Sequence, residues 1–199
     1  SLDMKNAFNS LRRRFTYQGV CKYCPKLERL FRSVYGGPAV LRDSNGTVVG
    51  QSATGVRQGD PLAFLFYCAG IQDFLLELRQ AFGELCGNFL FLLWAYADDI
   101  HFAGPTAACK EFLDKGLPQH MQDAGLIFQL KKCKLLGPNL PAGDEPCVCK
   151  SDGADFLGTP VGQERYVKDR CTKLIEDQLA TLESMKLVSA QSAFLLVKH

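Results

Sequence analysis

At 199 residues, with 47% hydrophobic and 22% charged side chains, the chain is long enough to bury one substantial core and too apolar to be disordered. Its formal net charge of +2 is too small to be an argument for nucleic acid by itself, and its longest uncharged apolar run, residues 62–71, is too short to span a bilayer. Nine cysteines, an odd number at irregular spacing, argue for reduced thiols in a soluble intracellular protein rather than for a disulfide framework. No signal-peptide pattern opens the sequence. The pairs Cys21-x-x-Cys24 and Cys147-x-Cys149 are not at the separation of zinc knuckles and have no nearby histidine, so zinc is not expected.

In chain order, Ser1-Leu2-Asp3 puts a carboxylate near the start with no strand before it long enough to hold it. Ala7, Phe8, Leu11 and Phe15 recur at three- and four-residue intervals, which predicts one helix ending at Gly19, with Arg12, Arg13 and Arg14 around its edge. Pro25 opens a second amphipathic helix that stops at Gly36-Gly37-Pro38. Val40 and Val48-Val49 flank Asp43-Ser44-Asn45-Gly46, which predicts a hairpin.

Gly55-Val56-Arg57-Gln58-Gly59-Asp60-Pro61 reads as a tight polar turn before a long apolar helix over 62–82. An ordinary capped helix start accounts for Asp60 and Pro61. It does not account for an Arg-Gln pair between two glycines, where donors would face any group lying against the helix start.

The run 89–96 is aromatic-rich and eight residues long, so it suits a strand buried on both faces. Ile100, Phe102 and Ala103 predict a return strand, which places Asp98 and Asp99 at a hairpin tip. Adjacent carboxylates repel and resist desolvation, so a fold tolerates them beside a core when a cation sits among them, and Mg²⁺ is the candidate. The alternative is a plain turn with both acids in solvent.

Residues 105–125 suit an amphipathic helix divided by Pro118, and 125–133 a strand running into a basic turn. The basic clusters Arg12–Arg14 and Lys131-Lys132-Cys133-Lys134 read first as solvated faces. A Gly/Pro-rich loop is expected over 137–146, a short apolar piece at Phe156-Leu157-Gly158, and one or two helices over 168–198.

The ordered series Asp3-Met4-Lys5-Asn6-Ala7-Phe8, Gly55 to Leu62, Tyr96-Ala97-Asp98-Asp99, Gly125-Leu126 with Lys132-Cys133, and Phe156-Leu157-Gly158 resembles the reverse transcriptase palm. The likeness is closest to the non-LTR (LINE-like) retrotransposon branch. Tyr-x-Asp-Asp and Gln-Gly-Asp-Pro-Leu are its most specific parts. Ala63-Phe64 stand where Ser-Pro is usual, and Gln129 where Asn is usual.

The resemblance implies an α+β fold: a ferredoxin-like antiparallel palm sheet with packed helices over 1–162, its fingers lying outside this sequence, and the start of a helical thumb over 163–199. It implies an RNA-directed DNA polymerase that adds dNTPs to a DNA primer on an RNA template. Asp3, Asp98 and Asp99 would hold two Mg²⁺ ions, with Mn²⁺ as a possible substitute. Phe8 would be the steric gate against a ribose 2′-hydroxyl, and Arg57, Gln58 and Gly59 would bind the nucleotide. Lys132 would protonate the departing pyrophosphate, and Phe156, Leu157 and Gly158 would form the primer grip. Without fingers and most of the thumb, the isolated segment is expected to polymerise poorly. The alternatives are an inactive retroelement remnant that at most binds nucleic acid through Arg12–Arg14 and Lys131–Lys134, and another two-metal palm enzyme such as a nucleotidyl cyclase. The cyclase is disfavoured because the Gln-Gly turn and Phe-Leu-Gly grip have no task in it. No membrane partner is expected, and oligomeric state is not legible.

Overall fold

The computed structural model describes residues 1–137, 140, 148–150 and 152–186. Most of the loop expected over 137–146, Cys147 of the Cys147/Cys149 pair and the helix expected beyond residue 186 lie outside the described residues.

Where the apolar spacing predicts a single first helix there are two, α1 (Ala7–Ser10) and α2 (Arg13–Tyr23). The break falls where Leu11 turns extended (φ −60°, ψ 115°) and the Arg12 N–H leaves the helical ladder for the Ala124 carbonyl at 2.8 Å. Nor does Gly19 end the helix; it lies inside α2. A Cβ there would stand 2.1 Å from the Ala69 carbonyl oxygen, so glycine is required by a close helix crossing rather than by a terminus.

A 3₁₀ turn at Pro25–Leu27 leads into α3 (Glu28–Tyr35), and β1 (Ala39–Arg42) pairs antiparallel with β2 (Val48–Ser52) as the turn residues predict. The central element is α4 (Ala63–Cys86), 24 residues or about 36 Å long. Its buried positions Ala63, Phe66, Tyr67, Gly70, Phe74, Leu78, Phe82 and Cys86 make one stripe at three- and four-residue spacing. α2 crosses that stripe at Gly19 and Gly70.

After α4 come β3 (Leu92–Tyr96) and β4 (Asp99–Ala103), antiparallel, then α5 (Thr106–Lys115) and α6 (Gln119–Asp123), divided at Pro118. The strand expected to be buried on both faces is covered on one. Leu92, Trp94 and Tyr96 are 58%, 45% and 64% exposed, while the alternate residues Leu93 and Ala95 pack on the core. Among the described residues helices lie against only one side of this pair, so the period-2 alternation of a strand decides which side chains stay wet. On the inner side Phe82 meets Phe102 and Phe112, with ring centroids 5.2 Å away in each case.

The strand expected over 125–133 is reduced to a bridge at Phe128 and a 3₁₀ turn, Leu130–Lys132, because Gln129 leaves the extended region (φ −95°, ψ 73°). β5 (Lys134–Leu136) pairs in parallel with β6 (Val148–Lys150), and β7 (Gly153–Phe156) pairs antiparallel with β8 (Thr159–Gly162). α7 (Glu164–Met185) closes the described chain. The class is α+β, with short and mostly antiparallel pairs. Among the described residues no helix is long and apolar enough to cross a membrane.

Candidate active site

Asp98 and Asp99 owe their place to a two-residue hairpin turn. Tyr96 pairs with Asp99, leaving Ala97 and Asp98 as the loop, and Ala97 takes a left-handed φ of 55° that only a tight turn imposes on alanine.

Beside this hairpin runs the opening of the chain. The Leu2 N–H donates to the Ile100 carbonyl at 2.7 Å, and the Ile100 N–H returns to Leu2 at 3.4 Å. On the other side Lys5 N–H donates to Ile127 O (2.9 Å), Gln129 N–H to Asp3 O (2.8 Å) and Lys134 N–H to Ser1 O (3.0 Å). Residues 1–5 therefore form an inner rung between β4 and residues 127–134.

The register has a chemical consequence. Leu2 and Ile100, both 0% exposed, point into the core. One step along, the antiparallel ladder sets Asp3 across from Asp99 on the opposite face, where Tyr96, Trp94 and His101 also lie. His101 is covered on that face by Trp94, stacked at 5.4 Å, and by Phe156 of β7 at 5.9 Å. The Phe156-Leu157-Gly158 corner, with φ of 49° at Leu157 and 76° at Gly158, is thus joined to the sheet that carries the acids.

The polar surroundings of this face are sparse. Burial pushes the His101 imidazole below its usual range, aided by the N-terminal ammonium and opposed by Asp99. Burial likewise pushes the Cys133 thiol up, opposed by its hydrogen bond with the Asp3 backbone, whose N–H reaches Cys133 Sγ at 3.4 Å, and by the N-terminal ammonium. Among the described residues none of Asp3, Asp98 and Asp99 is in a salt bridge. Three unspent carboxylates on adjacent rungs are the hard oxygen donors that Mg²⁺ prefers, so the donor set fits. As their side chains stand, no three His, Cys, Asp or Glu among the described residues converge closely enough to hold an ion.

Phe8 lies on α1, its ring stacked on Tyr67 of α4 with centroids 4.4 Å apart and planes at 22°. Tyr67 is fully buried, and its hydroxyl is pushed up by burial with Asp98 adding to the effect, so it lies within electrostatic reach of the hairpin tip. The Phe8 carbonyl accepts the Val56 N–H at 2.8 Å. A Cβ on Gly55 would stand 2.3 Å from the same oxygen. Glycine at 55 is what lets the Gln-Gly turn lie against α1.

That turn is closed by the Asp60 N–H on the Arg57 carbonyl (3.2 Å), with Gly59 at φ 88° as its third residue and Gln58 exposed. The Arg57 guanidinium lies over the Tyr35 ring, 4.9 Å from its centroid, and donates to Val34 O at 3.3 Å. Lys132 is exposed, its N–H on Gln129 O at 2.7 Å, so its turn is tied through Gln129 to the backbone of Asp3.

Two of the expected basic residues have structural partners. Arg13 donates to the carbonyls of Gly55, Gly37 and Ser52, and Lys134 to that of Asp155. Arg12, Arg14, Lys131 and Lys132 are exposed. Ala63 is buried, whereas Phe64 is 48% exposed with its ring 6.2 Å from Tyr96. Tyr35 and Tyr67 escaped the sequence reading, since aromatics at helical spacing carry no sign that separates them from ordinary core residues.

Residues 1–161 match the family described as reverse transcriptase (RNA-dependent DNA polymerase), and the chain belongs to that family. A curated relative is the retrovirus-related Pol polyprotein from type-2 retrotransposable element R2DM of Drosophila melanogaster, 30% identical over 142 residues. That alignment covers 69% of this chain and 13% of the polyprotein, so the chain spans a small part of the relative's length. The kinship is with the retrotransposon branch that the motifs resemble. A solved structure of telomerase from Candida tropicalis, in complex with a fragment of telomeric RNA, aligns with a TM-score of 0.49 at 14% identity, over 64% of this chain and 24% of that one.

Proposed function

We propose that this chain carries the catalytic palm of a retrotransposon RNA-directed DNA polymerase, with residues 1–162 as palm and 163–199 as the start of a thumb. Its substrates are an RNA template, a DNA primer and dNTPs. The observation that carries the reading is the pairing of Leu2 with Ile100, which sets Asp3 beside the Asp98-Asp99 tip although the sequence separates them widely.

Asp3 and Asp98 are the principal metal-holding carboxylates and Asp99 their neighbour. Two Mg²⁺ ions there, or Mn²⁺ in their place, would supply Lewis-acid stabilisation of the attacking and leaving oxygens. Gln58 and Gly59, with Arg57 at the turn's first corner, hold the incoming nucleotide. Phe8 stands beside the sugar, Lys132 holds a proton for the leaving pyrophosphate, and the Phe156-Leu157-Gly158 corner positions the primer end.

The test is Asp3→Asn and Asp98→Asn in the full polyprotein, assayed by primer extension on an RNA template. Each is expected to lower the rate on the order of 10²–10³-fold with template binding retained, as removal of transition-state charge stabilisation does. Wild-type extension by either variant would overturn the assignment. An inactive remnant binding nucleic acid through Arg12–Arg14 and Lys131–Lys134 would instead show binding with no extension in the wild type at any Mg²⁺ or Mn²⁺ concentration.

A further inference from the structure

We infer that Tyr35 is a positioning residue for the Gln58-Gly59 turn, through a hydroxyl that grips both corners of that turn; this rests on the reading of the turn as the nucleotide site. Tyr35 Oη accepts the Arg57 N–H at 3.2 Å and donates to Asp60 Oδ2 at 2.6 Å. Arg57 and Asp60 are the first and last residues of the turn, so one oxygen closes a loop around Gln58 and Gly59. Asp60 passes the constraint on, since its Oδ1 accepts the Leu62 N–H at 2.9 Å at the start of α4.

The ring of Tyr35 is held as firmly as its hydroxyl. It is 2% exposed, stacked on Phe31 at 5.3 Å and edge-on to Phe66 at 5.9 Å. Two guanidinium groups lie against it, Arg13 at 5.3 Å and Arg57 at 4.9 Å from the centroid. Burial, and then the nearby Arg57, pull Arg13 below its ordinary range. Arg13 stays because its donors are spent on the carbonyls of Gly37, Ser52 and Gly55, which ties the β1–β2 hairpin to Gly55, two residues before the turn.

A turn containing a positive-φ glycine is soft by itself. Here the side toward α1 is fixed by Val56 on Phe8 and the side toward α3 by Tyr35. The exposed Gln58 side chain is then presented from a preorganised backbone, which lowers the ordering cost when a nucleotide binds.

Tyr35→Phe removes the gripping oxygen and keeps the packed ring. In the full polyprotein it should raise KM for dNTPs about three- to tenfold with kcat little changed, a fraction of what a hydrogen bond to a carboxylate is worth, because the lost contact acts on the nucleotide only through the turn. Amide exchange at Arg57 and Asp60 should quicken without nucleotide present. Gln58→Ala should also raise KM, and the double variant should fall clearly short of the product of the two single effects, because both act through one turn. If Gln58→Ala leaves KM unchanged, the nucleotide reading of the turn fails, and this inference with it. If Gln58→Ala raises KM while Tyr35→Phe changes neither KM nor exchange, the turn reading stands and the Tyr35 role is overturned. Fully additive effects would also overturn it, since Tyr35 would then act elsewhere.

Discussion

Phe8 shows how much a single ring can be asked to do. It is half-buried, stacked on Tyr67, and its carbonyl holds Val56 at the entrance to the Gln-Gly turn. An aromatic wall selects deoxyribose by clashing with a 2′-hydroxyl rather than by binding deoxyribose better, so shrinking it removes a penalty. Phe8→Ala, or the milder Phe8→Val, should raise ribonucleotide relative to deoxynucleotide kcat/KM by about 10–200-fold, the range one small steric difference commands in a pocket. Lost stacking on Tyr67 would depress both substrates together. Matched kcat/KM values for the two sugars therefore separate gate from packing, and an unchanged ratio rejects the gate. The candidate role of Phe8 was legible from its distance to Asp3 in the motif. Its platform was not, because nothing local ties residue 8 to residue 67.

The crossing of α2 on α4 sets how the elements fit. Gly19 brings the α2 backbone against the Ala69 carbonyl, and a Cβ at Gly70 would stand 2.8 Å from Thr16 Cα. Neither neighbour is a flexible side chain, so an added methyl group must push the helices apart. Gly19→Ala should cost about 1–3 kcal/mol, the usual penalty for overpacking a tight core. Gly37→Ala, at a position with nothing within 4 Å of the added Cβ, should stay within about 0.5 kcal/mol. Denaturant unfolding of the two variants measures the difference, and equal stabilities would show that the crossing relaxes freely. Helical spacing alone reads Gly19 as a stop, because the conformational cost of glycine and its use at a close approach look the same in one dimension.

At the scale of the whole molecule, Asp155 joins α7 to the β7–β8 hairpin. Asp155 accepts from Arg170 Nε at 2.8 Å and from the Tyr166 hydroxyl at 3.1 Å, while Gly153 leaves room for the Tyr166 ring. The Arg170 hydrogen bond holds the Asp155 carboxyl below its ordinary value, with Tyr166 adding to the effect. A carboxyl depressed in the folded state contributes stability that is complete above the unfolded value, about pH 4, and is lost as pH falls through the lower folded value. Proteolysis or amide exchange of α7 should therefore quicken below about pH 4. Arg170→Ala should make α7 labile at neutral pH and flatten that dependence, and an unchanged pH profile would show that the pair does not secure the helix.

The hairpin at Asp98-Asp99, the long helix after the Gln-Gly turn and the break at Pro118 were all determined by sequence, because turn chemistry and apolar period act over a few residues. The exposed face of β3, the split of the first helix and the inner rung formed by residues 1–5 were decided only in three dimensions. Each depends on a neighbour distant in the chain: the helical core that takes Leu93 and Ala95 and leaves Trp94 outward, the Ala124 carbonyl taking the Arg12 N–H, and β4 with residues 127–134 enclosing Asp3. The pairing of Leu2 with Ile100, on which the site depends, is of that second kind, since backbone hydrogen bonds between remote segments are written in no local pattern of side chains.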